Sequence, residues 1–172
     1  LYSNTTSSYN SAYGYGALYS NTTGTNNNAF GYQALYFNTT GSNNNALGRG
    51  ALYSNTTGDE NNAFGYKALY SNATGHYNNA FGFYALMSSS GLGRNSAFGH
   101  ASMKDTTTGE HNAAFGQGSM FKNMTGSYNS AFGAGSLQNA TSSVNNAAFG
   151  YHALYTNTTG SQNIGIGNQA LY

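Results

Sequence analysis

Few residues of this chain could do acid–base chemistry, and their spacing works against them. Asp105, Glu110 and His111 form the densest group of titratable side chains, the raw material of a general acid–base pair. His76, His100, His111 and His152 are the candidate metal ligands. A metal centre needs several such donors converging on one point, and the four histidines are scattered, with no cysteine to join them. Calcium-binding glycine-rich coils carry an Asp in each repeat, whereas Asp59 and Asp105 are the only aspartates. Gly14-x-Gly16 and its later copies have the glycine spacing of a phosphate loop without the helix that must follow. The expectation is a protein with no catalytic residues, no metal and no cofactor.

Three other patterns carry possible chemistry. Asn-x-Thr, the acceptor motif for N-glycosylation, occurs at Asn4, Asn21, Asn38, Asn55, Asn72, Asn123, Asn139 and Asn157. Asn-Thr-Thr-Gly is also turn chemistry in its own right; if sugars are attached, they would sheathe nearly the whole length and hide its edges. Tyr19, Tyr36, Tyr53 and Tyr70 recur at one interval, joined by Tyr2, Tyr155 and Tyr172. This column is either a stacked ladder that stiffens the molecule or an aromatic contact strip for sugar rings or another surface. Thr22, Thr39 and Thr56 could form a hydroxyl column for ice or glycan, although adjacent Thr-Thr residues in a strand would face opposite ways.

The interval is the key to what positions these groups. Glycine recurs 17 residues apart from Gly14 through Gly31, Gly48, Gly65 and Gly82 to Gly167, without a slip. Four residues before it stands Asn10, Asn27, Asn44, Asn61, Asn78 and so on to Asn163. Immediately before it is an apolar residue, among them Phe30, Phe64, Phe81 and Phe98; four after it is Leu or Met, as at Leu35. Asn, Gly, Thr and Ser are poor helix formers, and short apolar pieces between turn residues predict strands of three to five residues. The period therefore predicts an all-β chain, a parallel β-solenoid of ten 17-residue coils in which like stacks on like. Phe and Leu are expected to fill its core. The Asn column should form a ladder of amides satisfying backbone groups of the next coil. Glycines at two fixed phases should supply corners with positive φ or close backbone approach. The constant length follows, because one inserted residue would turn later side chains to the wrong face.

Composition limits partners. Five basic and four acidic residues among 172 leave a net charge near +1, no electrostatic footprint for nucleic acid. No apolar run approaches the roughly 20 residues of a membrane helix. Such low charge favours association between chains, so self-association as a homotrimer or filament is expected. Leu1 and Tyr2 hold the phase of Leu171 and Tyr172, which suggests that residues 1–172, one repeat array, are a window on a longer fibre protein. The copies disagree most just after the second glycine phase, as at Asp59-Glu60, His76-Tyr77 and Glu110-His111, the signature of an exposed rim. The fifth copy departs furthest: "ALMSSSGLGRN" replaces the Asn-Thr-Thr-Gly corner while the spacing to Gly99 survives.

The stretch "NNAFGYKALYSNATG" (Asn61 to Gly75) resembles the repeats of tail-fibre-domain proteins of phage and bacteria, often found upstream of a self-cleaving intramolecular chaperone, and this resemblance spans essentially all ten copies. "NSAFG" at Asn95–Gly99 and Asn129–Gly133 is similar, in part, to the repeats of trimeric autotransporter adhesin heads. The second resemblance implies left-handed parallel β-rolls assembled as homotrimers, though the adhesin repeat is shorter and aliphatic where this chain has Phe. Together they imply a non-enzymatic structural fibre shaft on a virion or in the extracellular space, adhering through its surface. A glycan- or ice-binding β-solenoid module is the alternative.

Overall fold

A computed structural model of the chain describes residues 2–91 and 93–172. Leu1 and Leu92 fall outside the described residues, and the phase match expected of Leu1 lies there with it. Among the described residues there is no helix. Ten strands, β1 (Ser11–Tyr13) to β10 (Ile164–Ile166), form one sheet in which spatial order equals chain order and every pairing is parallel. Asn62, Ala63 and Phe64 lie beside Asn79, Ala80 and Phe81, a shift of one copy, and each other pairing keeps this register. The chain is a parallel β-solenoid.

Each strand is short because glycine ends it. Gly31, directly after Phe30, has φ of 145°, a conformation that L side chains rarely adopt. A Cβ there would also stand 2.5 Å from the carbonyl oxygen of Gly48 in the next coil. The second glycine phase is required for a different reason. A Cβ on Gly41 would meet Asn38 Oδ1 at 2.5 Å and collide with the carbonyl of Gly58. The first phase thus serves both a turn and a close approach, the second a close approach.

The corner after the first glycine holds an unusual residue. Leu18, Leu35, Leu52, Leu69, Leu86, Met103, Met120, Leu137, Leu154 and Leu171 all have φ between 48° and 53°. The left-handed region costs an L-residue roughly 1–2 kcal/mol. Leu35 is fully buried, and burying a Leu side chain contributes about 1.5–3 kcal/mol. Its N–H also donates to Ala51 O at 3.0 Å in the next coil. A β-branched side chain is worse suited to this conformation, and none of the ten is Val, Ile or Thr.

The core is narrower than expected. Of a three-residue strand only the middle residue faces inward, and there it is small: Ala29, Ala46, Ala63 and Ala80 are buried. These alanines pack against the Leu/Met column, against Ala17, Ala34 and their copies, and against two columns of buried asparagine. Phe, expected inside, faces outward instead. Phe30 is 42% exposed and Leu47, its counterpart one coil on, 49%. The strand alternates with period two, so the residues flanking the inward Ala must point out. The Phe column is nevertheless a ladder, with Phe64, Phe81, Phe98 and Phe115 stacked 4.7 Å apart, planes within 5°.

Candidate functional site

The asparagine at the expected ladder position behaves as the sequence predicts. Asn44 Oδ1 accepts from the N–H of Asn61 at 3.0 Å and from its Nδ2 at 3.1 Å. Asn44 Nδ2 donates to Gly58 O at 2.8 Å and to Asn27 Oδ1 at 3.1 Å. One amide therefore serves three coils, and Asn61 repeats the pattern towards Asn78, whose N–H donates to Asn61 Oδ1 at 3.0 Å.

A second ladder was hidden in the glycosylation motif. Asn38 Nδ2 donates to Gly41 O at 2.8 Å and to Asn21 Oδ1 at 2.7 Å, and Asn55 Nδ2 reaches Gly58 O and Asn38 Oδ1. Asn21, Asn38, Asn55, Asn72 and Asn123 are fully buried, each with the nitrogen that a sugar would occupy turned inward. At these five the nitrogen that would carry a glycan is committed to a hydrogen bond inside the folded coil. Asn4 and Asn157 share the phase but are not buried. Asn139 does not belong to the column. Ala140 occupies the buried place, and Asn139 Nδ2 donates to Tyr155 O at 3.0 Å.

The second ladder is broken where its asparagine is replaced. Ser89 and Thr106 follow Asn72, and Ala140 follows Asn123. At these breaks Asn72 Oδ1, Thr106 Oγ1, Asn123 Oδ1 and Ser143 Oγ are buried with no hydrogen-bond partner.

The outward columns define the surface. Tyr19 and Tyr36 stack at 5.0 Å, Tyr36 and Tyr53 at 5.5 Å, Tyr53 and Tyr70 at 4.9 Å. Ring faces turned towards neighbouring rings are covered, which leaves edges and hydroxyls to contact anything else. Burial raises the pKa of the Tyr53 hydroxyl, and the neighbouring hydroxyls of Tyr70, Tyr36 and Tyr32 add to the shift. Four of the five cations sit over rings: Arg49 over Tyr32, Lys67 over Tyr66 and Tyr70, Arg94 over Tyr77, Lys104 over Tyr84 and Phe121, at 5.0–5.8 Å. Thr22, Thr39 and Thr56 each donate their hydroxyl to the next coil's carbonyl at 3.0 Å, so this column is committed internally.

The titratable residues do not assemble. Among the described residues no three His, Asp or Glu side chains could hold a metal ion. His111 stacks on Tyr128 at 4.9 Å on the exposed rim. One pair was missed: His76 Nδ1 lies 3.4 Å from Asp59 Oδ2 and accepts from the Asp59 N–H at 3.0 Å. Their separation of one period was the available signal. The rim residues from Asn26 and Asn43 to Gln162 have φ of 56–62° and are exposed.

Comparison with protein-family models, curated proteins and solved structures finds no match.

Proposed function

We propose that this chain is a non-enzymatic fibre shaft, working outside the cell or on a virion surface and self-associating as a homotrimer through its sheet. The observation that carries the reading is the outward Phe column. Single exposed apolar residues are ordinary on protein surfaces. Here Phe64 to Phe149 form an unbroken row on one face of the sheet, bordered by the uncharged Asn62, Asn79, Ser96, Ala113, Ser130 and Ala147. A contiguous apolar patch of this kind marks an interaction surface. A second copy fits it geometrically, because its ring edges repeat at the same coil spacing and can lie in register against this row from Phe64 to Phe149. The near-zero net charge offers little repulsion between copies. In-register stacking transmits load along the axis through continuous backbone and amide ladders, which suits a spacer.

Sedimentation equilibrium tests this. The wild-type chain should sediment at three times its 18.0 kDa mass. Phe98→Asp, which puts a charge in the middle of the row, should sediment as a monomer with its β circular dichroism retained. A monomeric wild-type chain at high micromolar concentration refutes the self-association.

A further inference from the structure

The corner beside the tyrosine column is filled in five of the ten coils, and the isolated gaps at Gly16 and Gly50 are flanked by the next coil's Gln33 and Lys67, whose Cγ atoms lie 3.4 and 3.5 Å from where a Cβ would stand. Two residues past the first glycine stand Gln33, Lys67, Tyr84, His152 and Gln169, with φ of 51–59° and side chains lying across the corner. In three consecutive coils the position holds Ala101, Gly118 and Gly135. There the corner opens into a cleft of about 370 Å³. Its length from Ala101 to His152 spans three coil steps, about 14 Å at ~4.8 Å each.

The walls are chemically distinct from the rest of the surface. Gln117 and Tyr151 line one side, Phe121 and Gln138 the other, with His100 and His152 at the ends. Elsewhere rings on this corner cover one another along their columns. Phe121 has Lys104 and Gln138 as its column neighbours, and Tyr151 has Ala134 and Asn168, so neither meets a ring along its column; the Lys104 ammonium lies over Phe121 at 5.1 Å, and each ring keeps one face free of these partners. Stacking does hold the two imidazoles: His100 lies on Phe83 at 5.5 Å, and His152 on Tyr151 at 3.9 Å. No carboxylate, ammonium or guanidinium is among the described residues lining the cleft.

We propose that this cleft binds a short neutral oligosaccharide. The carboxamides of Gln117 and Gln138 both donate and accept hydrogen bonds, matching hydroxyl groups that do the same. Phe121 and Tyr151 offer apolar surface for the C–H faces of pyranose rings. The volume falls within the range of small-ligand sites. An extended peptide is disfavoured because the floor amides are spent: Ala101, Gly118 and Gly135 donate to Phe83, His100 and Gln117 carbonyls at 2.8, 3.0 and 2.9 Å. Main-chain pairing, the usual source of peptide affinity on a sheet edge, is thereby denied these three N–H groups. The cleft shares no lining residue with the Phe row, so the inference stands whether or not chains associate.

The test is amide NMR on the labelled full chain with neutral trisaccharides derived from glucan, mannan and chitin. At least one should shift the Gly118 and Gly135 amides saturably. Gly118→Gln refills the corner with the residue that Gln33 and Gln169 place at the same phase, and a Cβ on Gly118 meets nothing nearer than 3.6 Å. It should weaken binding at least about tenfold, or about 1.4 kcal/mol. Phe121→Ala should weaken it too, and Gly50→Gln, four coils away from Gly118, should leave it unchanged. The proposal is overturned if no neutral sugar gives a saturable shift, if Gly118→Gln binds like the wild type, or if only a charged oligosaccharide or a peptide binds there.

Discussion

In the coil that leads into β9 (Ala147–Phe149), called coil nine after its strand, two residues of the repeat change together, and inside the buried stack the geometry couples them. From Asn21 on, each described Asn at this position has Gly three residues later: Asn21 with Gly24, Asn38 with Gly41, Asn55 with Gly58, Asn72 with Gly75, Asn123 with Gly126, Asn157 with Gly160; in the exposed first coil Asn4 is followed by Ser7, whose hydroxyl donates to Asn4 Oδ1. A Cβ on Gly24 would stand 2.6 Å from Asn21 Oδ1, and one on Gly126 would overlap Asn123 Oδ1. Coil nine has Ala140 and Ser143, removing the amide and adding the Cβ. Because Ser143 is accommodated, the next coil's carbonyl does not by itself forbid a side chain; the deciding neighbour is the asparagine of the same coil.

A double-mutant cycle in coil eight measures this. Gly126→Ser alone forces a side chain into occupied space, a cost of about 1–3 kcal/mol. Asn123→Ala alone loses the 2.9 Å bond from Nδ2 to Gly126 O. That carbonyl still accepts from Asn112 Nδ2 at 2.8 Å, and Asn123 Oδ1 has no partner to lose, so this cost stays near the ~1 kcal/mol of an ordinary hydrogen bond. The double variant reproduces coil nine and should recover most of the serine penalty, a coupling of about 1–2 kcal/mol. In a chain of this length each kcal/mol moves the midpoint by about 2–4 °C. The double variant should therefore melt about 2–8 °C above the sum of the single effects. Thermal melts of the four chains read this directly. Additivity within about 0.5 kcal/mol refutes the reasoning and leaves the paired change in coil nine without a steric cause.

Two further perturbations follow from the same geometry. Leu69→Met should cost under about 1.5 kcal/mol, since it keeps volume and an unbranched Cβ. Leu69→Val should cost more, about 2–4 kcal/mol, from the cavity and from β-branching at φ of 51°; equal melting of the two variants would count against a steric role for this corner. Tyr53 gives a pH dependence. Its hydroxyl pKa is raised in the folded chain by burial first and by its tyrosine neighbours second. The folded state then holds more protons than the unfolded state above the ordinary phenol value of about 10. Stability should be intact below that pH and fall as pH rises through the folded-state pKa. Tyr53→Phe should flatten part of this alkaline loss, and an unchanged melting-versus-pH slope in the variant would refute it.

Much of the coil was legible because its period dictates contacts directly. Once Asn27 is known to lie under Asn44, their amides have little choice of partner, and Gly31 must accommodate the carbonyl above it. What the period cannot say is which way a residue points when the strand is only three long. Phe30 looked like core by hydrophobicity, yet alternation gave the inward place to Ala29, and the adjoining Leu35 column leaves no room there for a ring. Asn38 looked like a sugar acceptor because its three-residue motif is local, while its burial depends on Asn21 and Asn55 one coil away on either side. Nothing in the name leucine announces a φ of 51° at Leu35; the available hint was that only Leu and Met ever fill the position. The paired change at Ala140 and Ser143 was likewise visible in the sequence, but only as a coincidence. It became a constraint when the missing amide and the added Cβ were found to claim the same space, so departures from a repeat are best read in pairs.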